Sequence, residues 1–162
     1  AALALPNDPA TPKAPGQLAS HYAPEARVRL NVPVPQPGEI FVGFGPGAAV
    51  GASVAAPGVP VVCLIGDGGL QFSPGELRTA VDEHLPITFV VWNNAGFREI
   101  AEAMSGAGVE VIGCTPSPLK MEPYAAACDL PFQSVAEEPA ALAAALRMPQ
   151  DGPRLIEVRV LT

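Results

Sequence analysis

From Glu39 onward the chain alternates short apolar runs with Ala-rich stretches. Val61-Val62-Cys63-Leu64-Ile65 is unbroken and rich in β-branched residues. A strand buried on both faces reads this way, because neither face needs polar positions. Ile87–Trp92 and Leu155–Leu161 repeat the pattern, and Val109–Ile112 and Phe132–Val135 are shorter candidates. Between these runs lie stretches, several of them Ala-rich, that read as helices over roughly Ala48–Ala55, Pro74–His84, Phe97–Ser105, Met121–Ala127 and Pro139–Arg147. Ser73, Pro74 and Glu76 have the spacing of a capping box, with Pro at the first helical position. Strands alternating with helices over short loops predict an α/β domain. Its three layers are a mostly parallel sheet with right-handed crossovers and helices on both faces.

The first 40 residues have another texture. They hold eight of the 20 prolines, and Pro6, Pro9, Pro12 and Pro15 recur every third residue. That spacing forbids a helix and favours extended chain. Residues 1–37 therefore read as a Pro-rich arm or linker, with Arg27–Val32 as one short candidate strand, and residues 38–162 as the domain.

Composition narrows the partners. Pro and Gly make up 36 of 162 residues, about 22 %, yet 49 % of the chain is hydrophobic and only 15 % charged. Such a chain can bury a core. Nine Lys+Arg against 16 Asp+Glu leave a net charge of −7, which argues against a basic face tracking nucleic acid. No apolar run reaches the roughly 20 residues of a membrane span. The first residues lack a basic n-region and a clean apolar h-region, so no signal peptide is expected. Cys63, Cys114 and Cys128 are odd in number and lack CxxC spacing. They suggest neither a disulfide framework nor zinc, and a reducing, cytoplasmic setting follows.

In a parallel sheet, ligands bind beyond the carboxyl ends of the strands. Two such ends carry unusual residues: Gly66-Asp67-Gly68-Gly69 after the first strand, and Asn93-Asn94-Ala95-Gly96-Phe97 after the second. Consecutive glycines let backbone N–H groups approach an anion. The Asp67 carboxylate, the Asn94 amide oxygen, 27 residues on, and the Gly96 carbonyl are three hard oxygen donors suited to Mg²⁺. No Lys or Arg lies between Gly38 and Leu77. A diphosphate here would have to be neutralised by a divalent cation and backbone N–H groups.

The Gly66-Asp67-Gly68 … Asn93-Asn94 pair resembles the fingerprint of the pyrophosphate-binding domain of thiamine-diphosphate-dependent enzymes. Residues 66–100, GDGGLQFSPGELRTAVDEHLPITFVVWNNAGFREI, are similar to the acetolactate synthase-like branch, which includes 2-oxo acid decarboxylases. Val42–Ala52 is similar to the family's glycine-rich turn and helix, so the resemblance covers about residues 38–162. It implies thiamine diphosphate and Mg²⁺ as cofactors, with Asp67, Asn94 and the Gly96 carbonyl on the metal. Gly66, Gly68, Gly69 and Phe97 join the cofactor-binding set, and Val42 stands where the family holds the cofactor bent with a bulky apolar residue. It implies decarboxylation of a small 2-oxo acid, or carboligation after it. The activating glutamate belongs to a separate pyrimidine-binding domain, so the resemblance places no catalytic residue in this chain and implies a homo- or hetero-oligomer. Where one branch has a catalytic glutamate this chain has Ile100; Glu99 lies one position away, a rotation of about 100° on a helix, and is given no catalytic role.

Two other readings compete. Gly43-Phe44-Gly45-Pro46-Gly47-Ala48 satisfies GxGxxA, and Asp67 follows at about the distance of a ribose-binding acid, as in an NAD(P)-binding Rossmann oxidoreductase. Pro46 within the turn fits that reading poorly. A non-catalytic cofactor-binding module is the other. Cys63 reads as core; His21, His84 and Cys128 read as structural; and Glu137-Glu138 read as acids capping a helix.

Overall fold

The structure, a computed structural model, describes residues 41–160, and of residues 41–44 the backbone alone. The arm, the Arg27–Val32 candidate strand, His21 and Leu161 lie outside the described residues. Two compact units are distinguished: Arg98–Cys114, and the remainder of the described chain.

The larger unit is built on a five-stranded sheet in the order β1-β2-β3-β5-β4. Its strands are β1 (Phe41–Phe44), β2 (Val61–Gly66), β3 (Ile87–Asn93), β4 (Phe132–Ala136) and β5 (Arg154–Arg159), and every pairing is parallel. Its helices are α1 (Pro46–Ala55), α2 (Asp67–Leu70), α3 (Gly75–Asp82), α5 (Met121–Ala127) and α6 (Pro139–Arg147). Side chains alternate across a strand, so the register sorts residues into two faces. Val61, Cys63, Ile87, Phe89, Val91 and Leu155 share one face and pack with Ala49 of α1, Leu77 and Ala80 of α3, and Met121 and Ala125 of α5. Val90, Ile156, Val158 and Val135 share the other and pack with Ala141, Leu142, Ala145 and Leu146 of α6. Only the return step from β4 to β5 runs its helix over the second face, as a single crossover hand requires. The sheet is therefore layered between helices. Phe89, Ile87, Leu155 and Ile156 are fully buried, each contributing about 1.5–3 kcal/mol.

Three helix ends share one device. The Leu85 N–H bonds the Ala80 carbonyl and the His84 N–H bonds that of Val81, with His84 at φ +50. The same 6→1 and 5→2 pair recurs around Asp129 (φ +57) and, in the smaller unit, around Gly108 (φ +70). These are Schellman stops, which satisfy the last carbonyls at the cost of one left-handed residue. His84 is thus the stop residue of α3. Asp129 also accepts from Arg78, which pairs with Asp82 at 2.7 Å, tying the ends of α3 and α5 together.

Three expectations change. Val109–Ile112 is not a strand; Gly108 and Gly113, at φ +70 and +69, turn the backbone on either side of it, and Val109, Val111 and Ile112 stay exposed. Phe41–Phe44 is a strand, whereas its glycine-rich sequence read as a turn. The capping box does not form: α3 starts at Gly75, and the Glu76 N–H bonds the Ser73 carbonyl, not its hydroxyl. An N-cap needs extended backbone, but a run of turns from Gly68 to Ser73 leads straight into α3. Glu138 does stand at the N-cap of α6, without a side-chain capping bond.

The smaller unit consists of α4 (Arg98–Gly106), its Schellman stop and the segment to Cys114. Glu99 lies exposed in the first turn of α4. The Cys114 Sγ lies 3.8 Å from the Met104 Sδ and 3.3 Å from the Ile112 carbonyl.

Candidate functional site

Gly66, the last residue of β2, pairs in register with Trp92 of β3. The two Gly- and Asn-bearing segments therefore leave the sheet side by side at its carboxyl edge. Gly66 caps a four-residue helix, α2, which the two following glycines conceal in the sequence. Asp67, Gly68 and Gly69 form its first turn, whose N–H groups have no intrahelical carbonyl to bond. Asp67 is 4 % exposed, and among the described residues no group donates a hydrogen bond to its carboxylate. Its own carbonyl accepts from the Gln71 amide at 3.3 Å, tying α2 to the turn that follows. A Cβ on Gly68 would stand 2.7 Å from Cδ1 of Phe97 and closer still to Cε1. The aromatic ring thus lies directly against the first turn of α2, and only glycine fits beneath it.

The adjacent asparagines have opposite fates. Asn93 is fully engaged. Its Nδ2 donates to Oε1 of Glu157 at 2.7 Å, its Oδ1 accepts from the Ala95 N–H at 3.1 Å, and its carbonyl accepts from the Val160 N–H at 3.0 Å. Asn94 Oδ1 is buried without a hydrogen-bond partner among the described residues. A buried amide oxygen left unpaired costs about 1–3 kcal/mol unless a ligand reaches it. Beside a buried carboxylate, that orphan suits a hard cation. Among the described residues no three His, Cys, Asp or Glu side chains gather into a metal-binding group. A cation held here would draw on one carboxylate, an amide and a carbonyl, a mixed set that Mg²⁺ accepts when phosphate and water complete its octahedron. Ala95, at φ +58, makes the turn that delivers Gly96. Val42 lies in β1, paired with Val62.

The structure thus brings Gly66, Asp67, Gly68, Gly69, Asn94, Gly96 and Phe97 to one edge of the sheet. It adds one residue that sequence reading passed over, Glu157, a carboxylate 7 % exposed inside the apolar run of β5. A charged residue among Leu155, Ile156 and Val158 was the available signal. Pro46 is the first residue of α1, where its missing N–H costs nothing.

The sequence matches the family model for the thiamine pyrophosphate enzyme, C-terminal TPP-binding domain, over residues 17–158. The chain belongs to this family. Membership decides against the Rossmann reading of Gly43–Ala48. Among family relatives, the chain is 37 % identical over 76 residues to a probable 2-ketoarginine decarboxylase of Pseudomonas aeruginosa, covering 46 % of this chain and 14 % of that protein. It is 44 % identical over 68 residues to the oxalyl-CoA decarboxylase of Escherichia coli K12, covering 41 % and 12 %. The matched segments thus span less than a sixth of these relatives' own length. A solved thiamine diphosphate-dependent 4-hydroxybenzoylformate decarboxylase of Rhodococcus jostii superposes on 70 % of this chain and 22 % of its own, with a TM-score of 0.58 and 27 % identity. Benzoylformate decarboxylase of Polynucleobacter necessarius shares the fold at a TM-score of 0.66 and 19 % identity, over 75 % of this chain and 30 % of that one. Like these proteins, the thiamine pyrophosphate enzyme domain described here is an α/β unit, and no helix among its described residues is long and apolar enough to cross a membrane.

Proposed function

We propose that this domain binds the Mg²⁺-diphosphate half of thiamine diphosphate within a 2-oxo acid decarboxylase or carboligase of the acetolactate synthase kind. The observation that carries the reading is the buried Asn94 Oδ1, unpartnered among the described residues and one residue past the end of β3, with buried Asp67 one residue past the end of the paired strand β2. Asp67, Asn94 and the Gly96 carbonyl would hold the metal, and the Gly68 and Gly69 N–H groups the diphosphate. The cofactor, when bound, supplies the nucleophilic carbon and electron sink for 2-oxo acid chemistry. This chain's residues position and neutralise. Phe97 walls the first turn of α2, and Val42 stands at the position that would hold the cofactor bent. The activating glutamate would come from a pyrimidine-binding domain, so activity needs an oligomer or a longer chain. Three free cysteines among the described residues suit a reducing, cytoplasmic setting.

Calorimetric titration of thiamine diphosphate, with and without Mg²⁺, tests the reading on this chain and on Asp67→Ala. Binding should require the metal and vanish in the variant. Binding indifferent to both, or binding of NADH instead, overturns it.

A further inference from the structure

The carboxylate of Glu157 has no place in the metal site, and its burial in β5 calls for a reason. Lys120 and Arg159 line the same cleft as Glu157 without an ion pair to it among the described residues, and a buried carboxylate is costly unless hydrogen bonds compensate it. Its two partners among the described residues are neutral: the Asn93 amide on Oε1 and the Ser134 hydroxyl on Oε2, each at 2.7 Å.

We propose that Glu157 is a positioning residue for the metal-binding loop, acting through Asn93. This rests on the metal reading of Asp67 and Asn94 given above. The carboxylate is an acceptor only, so it selects one of the two amide orientations of Asn93, with Nδ2 inward and Oδ1 toward the loop. That outward oxygen takes the Ala95 N–H, closing an Asx turn that holds Ala95 at φ +58. The Val160 N–H, just past the end of β5, fixes the Asn93 carbonyl. With residues 93 and 95 both tied, Asn94 keeps its oxygen buried and unpaired, and the chain turns to present the carbonyl of Gly96. Neither Glu157 nor Asn93 needs to touch the metal for this. Ser134 holds the other carboxylate oxygen from β4, so three strands converge on one loop.

The test uses the full chain and two readouts: Mn²⁺ affinity in the presence of thiamine diphosphate, by electron paramagnetic resonance, and hydrogen exchange of the Ala95 amide. Glu157→Ala should weaken Mn²⁺ by roughly ten- to hundredfold, the usual cost of losing a group that orients a ligand. It should speed Ala95 exchange at least tenfold. Glu157→Gln keeps an acceptor for Asn93 and should stay within about threefold of the parent in both. Ser134→Ala removes a partner of Glu157 without freeing Asn93, and should lower the melting temperature yet leave both readouts within threefold. If Glu157→Ala does not fold, Asn93→Ala carries the same prediction from the half-exposed end of the contact. Unchanged Mn²⁺ affinity and unchanged Ala95 exchange in either folded alanine variant overturn the proposal. A parent chain that binds no Mn²⁺ overturns the metal reading instead, and Ala95 exchange alone then decides whether Glu157 sets the loop.

Discussion

Gly68→Ala isolates the contact between the first turn of α2 and Phe97. The added Cβ would meet Cδ1 of the ring at 2.7 Å, against the 3.5–4.0 Å of a relaxed carbon–carbon contact. The ring must retreat by roughly 1 Å, and forcing a group into filled space typically costs about 1–3 kcal/mol. Gly68 lies in a helical turn without a positive φ, so alanine also gains up to about 1 kcal/mol of backbone preference there. The two terms oppose each other, and a double-mutant cycle with Phe97→Ala separates them. Urea unfolding should show Gly68→Ala destabilising the parent by about 1 kcal/mol, or about 2–4 °C in melting temperature for a chain of this size. In the Phe97→Ala background the same substitution should be neutral or stabilising, giving a coupling of about 1–3 kcal/mol. Gly51→Ala is the control: nothing lies within 4 Å of the new Cβ in α1, so it should stabilise by about 0.5–1 kcal/mol. A Gly68→Ala effect that is equal in both backgrounds would refute the steric argument.

Two further outcomes follow from burial. Asp67→Asn removes a buried charge that no described residue neutralises, so the ligand-free chain should melt at the same temperature or higher, by up to about 1 kcal/mol. The rise in melting temperature that Mg²⁺ and thiamine diphosphate give the parent should disappear, since only binding to the folded state produces it; a variant with a lower melting point and an intact ligand shift would contradict both halves. Cys63 is fully buried, and burial pushes its thiol from 9.0 to about 11, against a smaller downward pull from a backbone hydrogen bond with Gly45. It should ignore thiol reagents at pH 8 until the chain unfolds. Because the folded thiol holds its proton where the unfolded one loses it, its contribution to stability is complete below pH 9 and falls by about 1.4 kcal/mol per pH unit as pH rises toward 11. Cys63→Ala should flatten that alkaline slope.

The strands β2, β3 and β5 were legible because burial on both faces demands continuous apolar runs, and α5 and α6 match their sequence boundaries residue for residue. What was hidden depended on context beyond the local pattern. Gly43 disguised β1, and Gly68 and Gly69 disguised α2, because glycine's low propensity says nothing of the packing that overrides it. Val109–Ile112 has the composition of a strand but no partner strand among the described residues, and pairing, not propensity, makes a sheet. At the site, the residue types pointed to Asp67 and Asn94 as candidate donors. Which of two adjacent asparagines stays unpartnered cannot be read from their identity, because Glu157, which engages one of them, lies 64 residues away from Asn93.

That separation also orders events in time. β5 follows β4 in the chain yet inserts between β4 and β3, so the 93–97 segment has no lateral neighbour on that side until the last strand slots in. A nascent chain released up to β4 could form β1, β2 and β3 and carry every candidate ligand of the metal, but Asn93 would lack Glu157 and Val160. A one-residue slip of β5 would be as damaging as its absence, since it turns Glu157 to the opposite face. Competence to bind would therefore arrive late, as the product of a long-range closure, and a chain cut short before β5 would be synthesised with the right letters and no working site.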